Sequence, residues 1–234
     1  MPYIEPYFTK TVRRAVPFLD DELKPTAKHF AAQEAQHQAE HRRFNAAVRA
    51  HAPRVARLER TMHRVYLWLW GTRSLEFNLA FTAASETIAY ALARWMSDHL
   101  QLFTGGSDPT IGRMFIWHLA EEVEHKSVGY DVFEAVDGSR WRYLRAAMLS
   151  LSLVGIFVTT GTLIQLASQR RLRNPLTWLR LAGWAISTGM EVLPTLALSA
   201  LPSHHPSKLV DPSWFSLWLT DMETTTASDH ADAS

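Results

Sequence analysis

Two tetrapeptides set a carboxylate and an imidazole three residues apart: Glu34-Ala-Gln-His37 and Glu122-Val-Glu-His125. Residues at that spacing share a helix face, so on a helix each pair aims both groups at one point. A single pair of this kind is commonplace on a solvated surface. Two pairs on separate helices, joined by single glutamates from two more helices, form a known dinuclear arrangement of ferritin-like bundles. Its ligands run Glu, Glu-x-x-His, Glu, Glu-x-x-His along the chain. Ahead of the first pair stand Glu5 and Glu22; Glu22 shares a predicted helix with Glu34, which leaves Glu5. Between the pairs stand Glu76 and Glu86. Glu76 falls in a first helical turn, where the dipole alone welcomes a carboxylate. Glu86 sits among Ala83, Ala84, Ala89 and Tyr90, an apolar setting, and is the chosen ligand.

Four ionised carboxylates in one core repel each other and each loses its hydration. Two divalent cations neutralise them, and the neutral imidazoles of His37 and His125 complete the shell. The mixed oxygen and nitrogen donors suit two iron ions, with manganese or zinc as alternatives. His41 lies one turn beyond His37 on the same face and is a further candidate ligand. His118, one turn before Glu122, is a candidate partner that orients a ligand. Asp131 falls off the ligand face and is placed to hydrogen-bond a histidine of a neighbouring helix. Glu40 and Glu124 read as solvated. Arg42, Arg43, Arg49, Arg54, Arg57, Arg60 and Arg64 read as an exposed face paired with acids, and Trp68, Trp70, Trp95 and Trp117 as core or rim.

The elements that must hold these groups read as helices almost throughout. Alternating β-branched runs and Asn-Gly hairpin signals are missing. Helices are predicted over about 6–18, 22–51 (with Asp20 and Asp21 as caps), 54–70 (ended by Gly71), 74–103, and 109–136 after the loop Thr104–Pro109. The chain has 234 residues, of which 47% are apolar, so a sizeable core is within reach. Lys and Arg number 24 and Asp and Glu 23, a net charge of +1, which argues against a nucleic-acid partner. Cysteine is absent, removing disulfides, thiolate nucleophiles and iron–sulfur clusters. The opening residues lack a secretory pattern, so the expected compartment is the cytoplasm.

Five stretches carry a resemblance. Gln33-Glu-Ala-Gln-His37 through His41-Arg-Arg-Phe-Asn45, and Trp117-His-Leu-Ala-Glu-Glu-Val-Glu-His-Lys-Ser-Val-Gly-Tyr-Asp-Val132, closely resemble a bacterial family described as predicted metal-dependent hydrolases. Pro2-Tyr-Ile-Glu5-Pro-Tyr-Phe8, Ser85-Glu86 and His204-His205-Pro206 are similar to its N-terminal glutamate motif, its third-helix glutamate and a His-Pro element near its C-terminus. The resemblance covers about residues 1–220 and implies a ferritin-like fold. The family description names hydrolysis, for which a water bridging two metals is a nucleophile. The carboxylate-rich donor set is at least as well suited to oxygen activation at iron. The leading expectation is therefore a di-iron enzyme that oxidises a small lipophilic or acyl-type substrate with O2 and an electron donor. Metal-dependent hydrolysis is the alternative, and a non-catalytic metal-binding, membrane-associated bundle the third reading.

The last third is apolar. Ala146–Ala167 is about 22 residues without a charge, long enough to cross a bilayer; Leu176–Leu201 is similar but holds Arg180, Glu191 and Pro194. Basic residues flank both, which gives no orientation. Packing on the bundle or lying in the membrane interface is preferred over spanning, so peripheral attachment to the inner membrane stands beside integral insertion. The expected division is a ferritin-like four-helix bundle over 1–138, an apolar helical extension over 139–220, and a disordered tail over 221–234. A homodimer is left open.

Overall fold

The computed structural model describes residues 2–101, 109–212 and 214–216, and among them every regular element is helical. The α-helices are α1 (Glu5–Ala15), α2 (Leu23–His51), α3 (Val55–Thr72), α4 (Leu75–Ser97), α5 (Pro109–His125), α6 (Val128–Val136), α7 (Arg140–Ser168) and α8 (Pro175–Ser199). Short 3-10 turns follow α1, α7 and α8. The expected tail over 221–234 and the loop residues Thr104–Asp108 lie outside the described residues.

The organising element is α4. Its Ala80, Ala83, Ala84 and Ala91 have no accessible surface, and small side chains let neighbouring backbones approach closely. Helices α1, α5, α6, α7 and α8 all pack on it. Buried hydrogen bonds fix their register. Tyr7 Oη donates to Asn78 Oδ1 at 2.7 Å, tying α1 to α4. Thr87, Tyr143 and Ser199 form a hydroxyl chain at 3.0 and 2.8 Å across α4, α7 and α8. Each such bond contributes about 1 kcal/mol net, and breaking one strands a buried polar atom at greater cost.

Local chemistry sets the helix ends. Asp20 Oδ1 accepts from Leu23 N at 2.8 Å and so caps α2, whereas Asp21 pairs with Lys24. Gly71 does not end α3; the helix runs on through it to Thr72. The break comes where Arg73 turns extended and Ser74 Oγ accepts from Phe77 N to start α4. The single helix expected over 109–136 is interrupted between α5 and α6. Lys126 in that turn reaches the carbonyl of Leu209 and the carboxylate of Asp211. Beyond the turn Gly129 passes so close to α4 that a Cβ there would lie 3.1 Å from Glu86 Cγ. The segment after α8 folds back over α6: His205 Nε2 donates to Asp131 Oδ1 at 2.7 Å, and Tyr130 Oη donates to His204 O.

The arginine expectation needs correction. Arg43 pairs with Glu40 and Arg49 with Glu59. Arg54, Arg57, Arg60 and Arg64 make no ion pair among the described residues. The reason is compositional: Glu59 is the only acid in α3, and α2 claims it through Asn45 and Arg49. Trp95 is buried and donates to Ser187 Oγ, while Trp68 is exposed. In α7 and α8 the ends nearest α4 are seated by Tyr143, Ala146, Ser150, Val192 and Leu196. Between Leu151 and Glu191 only Phe157 and Thr188 are buried.

Candidate metal centre

Helical spacing does its work on α2 and α5. Glu34, His37 and His41 fall on one face of α2, and His118, Glu121, Glu122 and His125 on one face of α5. The two faces meet. Ligand atoms from Glu34, His37, Glu122 and His125 all lie within 4.8 Å of one another, and all four residues are buried. Glu34 Oε1 is 3.1 Å from Nδ1 of both His37 and His125. His37 Nδ1 is 3.7 Å from Glu122 Oε1.

Glu86 comes from α4, 1% exposed, with neither oxygen hydrogen-bonded. Its electrostatic partners are Glu122, Glu34 and Glu5, which places it against the same cluster. Glu5 stands at the edge: its Oε1 is 2.5 Å from His41 Nδ1, and its Oε2 has no partner. The His118 ring packs edge-on against His37 and His41, with Nε2 3.4 Å from Glu122 Oε1. Asp131 stands apart, holding His205 as described above. Glu76 stays half-exposed in the first turn of α4, and Glu124 is exposed.

Both inward-facing imidazoles are held from behind. His37 turns Nδ1 to the cluster and Nε2 to Glu121 Oε2 at 2.7 Å. His125 turns Nδ1 to the cluster and Nε2 to Gln33 Oε1 at 3.0 Å. A metal-ligating histidine needs one bare nitrogen and a fixed ring, and a partner on the other N–H supplies both. Glu121 and Gln33 were missed by the spacing argument. Glu121 had a signal, since it lies one turn before His125 on the same face. Gln33 had none, because its role is a contact across to α5.

The electrostatics are those of a site short of positive charge. Burial, then the charges of Glu122, Glu34 and Glu5, push Glu86 well above the usual carboxylate range. Burial and the nearby Glu34 raise Glu122 to about 8. Burial also opposes ionisation of Glu34, but hydrogen bonding and charge from His125 and His37 outweigh it and hold Glu34 at about 2. Burial disfavours the His37 cation, yet Glu121, Glu34 and Glu122 lift it to about 10. Burial and the neighbouring imidazoles drive His118 well below its ordinary value, so it stays neutral. Protons thus gather where cations are wanted. The unpartnered oxygens of Glu5, Glu86 and Glu122 are donor atoms awaiting an electrophile, and the residues fit a divalent metal.

A cavity of about 600 Å³ lies between α2 and α5, lined by Gln36, Ala39, Glu40, Arg113, Met114 and Trp117, among others. Trp117 forms its inner wall, with its ring 5.1 Å from that of His37.

An all-α fold with a buried Glu/His cluster able to hold metal defines the general class, a helical metal-binding protein. Over residues 1–209 the sequence matches the family described as "Predicted metal-dependent hydrolase", and the chain belongs to that family. Neither a curated protein nor a solved structure matches it.

Proposed function

We propose that the chain is a metal-dependent hydrolase whose centre holds two divalent cations between α1, α2, α4 and α5, in a ferritin-like ligand arrangement. The observation that carries this reading is the convergence of Glu34, His37, Glu122 and His125 in a buried core, with Glu86 feeling the charges of Glu122 and Glu34 and carboxylate oxygens left unpartnered. Glu5 and His41 complete the set from the edge. Cations bound there would supply Lewis acidity and lower the pKa of a coordinated water.

The chain's own residues supply the rest. Glu121 and Gln33 lock the tautomers of His37 and His125, so both present Nδ1 inward. His118 is held neutral, and its Nε2 stands 3.4 Å from Glu122 Oε1, so it is placed to orient that carboxylate. The cavity beside Trp117 is the route for substrate. Met114 and Trp117 favour an apolar body, and Arg113 at the mouth favours an anionic end, which together describe a small lipophilic acid derivative.

The test is turnover of model carboxylic and phosphoric esters by the zinc- or manganese-loaded chain under anaerobic conditions. Hydrolysis without oxygen supports the reading. A second reading, oxidation at two iron ions with an external electron donor, is favoured by one feature, the excess of carboxylates over imidazoles, since anionic oxygen donors stabilise the higher oxidation states of iron. Reductant-dependent oxygen uptake by the iron-loaded chain, with no anaerobic turnover, selects it instead.

A further inference from the structure

Beyond the metal centre, three arginines at the start of α3, the N-cap Arg54 among them, face an apolar wall. Arg54, Arg57 and Arg60 line a cavity of about 640 Å³ whose far side is Ile156, Phe157 and Ile164 of α7. None of the three has an ion-pair partner among the described residues. A cationic rim on an apolar trough matches an amphiphile with an anionic head.

The trough opens beside an extended exposed apolar surface on α7 and α8. Helices α7 and α8 are each long and apolar enough to cross a membrane, yet only 17% and 22% of their most apolar windows are buried. Met148, Leu179, Ile186 and Met190 are each more than 60% exposed. The single acid in the two helices, Glu191, is neutralised by Arg94 at 2.9 Å. Arg145, Arg170, Arg171 and Arg173 frame the surface and are exposed, with no ion pair among the described residues.

Charge decides what covers it. A second copy of the chain would bring the same unpaired arginines to a shared interface, where like charges repel. An anionic lipid surface answers both features. Position decides how the helices lie. Arg54, Arg57 and Arg60 share the trough with Ile156, Phe157 and Ile164, and Leu58 among them meets Gly161, so they stand beside the C-terminal half of the uncharged stretch of α7. Were α7 to cross a bilayer, those guanidinium groups would lie beside its hydrocarbon layer, where charge is costly. Helices lying flat in one leaflet leave every arginine at headgroup level.

We propose that α7 and α8 rest in the surface of an anionic bilayer without crossing it, and that the α3 arginines seat a lipid phosphate with its acyl chain along α7. This does not depend on the hydrolytic reading.

The full chain is floated with vesicles of phosphatidylcholine alone or mixed with phosphatidylglycerol. Binding to the mixed vesicles is at least about tenfold tighter and weakens with salt. Joint Arg54→Gln, Arg57→Gln and Arg60→Gln removes the preference; joint Leu179→Ser, Ile186→Ser and Met190→Ser removes binding to both vesicles. These residues are exposed, so metal content and helicity stay unchanged and serve as controls. The chain has no cysteine, so Gln169→Cys and Ser203→Cys report from opposite ends of the α7–α8 hairpin. A membrane-impermeant maleimide added outside labels both on bound protein. Indifference to lipid charge, self-association in place of vesicle binding, or protection of the Gln169→Cys site alone would overturn the proposal.

Discussion

The bundle around α2, α4 and α5 and the α7–α8 hairpin invert the usual sorting of residues in opposite directions. In the bundle, Glu5, Glu34 and Glu86 are each 1% exposed, while in the hairpin Leu179 and Met190 are 69% and 73% exposed. Buried charge and exposed hydrocarbon are both costly in an isolated chain. On the readings proposed above, each region answers to a partner, a cation inside and a lipid surface outside. The two are chemically independent, so one can be damaged without the other.

The strongest way to break the comparison is to remove an inner ligand. Glu122→Ala or His125→Ala should abolish stoichiometric metal binding, measured by elemental analysis, while vesicle binding stays as in the parent chain. Loss of both together would mean that the regions are not separable. A smaller effect is expected behind the ligands. Glu121→Gln keeps the shape but weakens the hold on His37 Nε2, and metal affinity should fall about 10–100-fold in a competition titration.

Acidity sharpens the contrast further. In the metal-free chain Glu122 and His37 titrate at about 8 and 10, above their ordinary 4.5 and 6.5. Between pH 6.5 and 8 the folded state then holds more protons than the unfolded one, so stability falls as pH rises. The slope is up to about 1.4 kcal/mol per pH unit for each proton. Glu34 acts in the other sense, but only below pH 4.5, as pH falls toward its value of about 2. Bound cations displace the extra protons, so the loss should vanish with saturating manganese. Thermal melts at pH 6.5 and 8, with and without metal, check this; a metal-free Tm that rises over that interval would count against it. The smallest effect belongs to Glu124→Ala. Exposed and outside the cluster, it should shift stability by less than about 0.5 kcal/mol and leave metal content intact.

Much of this was legible in the residues because helical periodicity is a strong local rule. Three-residue spacing put Glu34 with His37 and Glu122 with His125 on common faces, and the alanines around Glu86 marked its helix as buried. Helix interiors were read well for the same reason. What escaped depends on contacts between distant segments. The turn at Lys126–Ser127 follows from how α6 meets α4 at Gly129, and no local signal announces it. Gln33 acts on a histidine of another helix. The arginines of α3 looked like an ordinary paired surface, and only the fold shows that they make no ion pair among the described residues and that α7 lies alongside.

The central claim is that cations make the buried carboxylates tolerable, and the most direct measurement is metal content. The full chain is purified without chelators, analysed for iron, manganese and zinc, then stripped and titrated back while Tm is followed. The account predicts two divalent ions per chain and a Tm that drops on stripping and returns on reloading. A folded chain that carries no metal, takes none up on titration and melts at the same temperature throughout would contradict it.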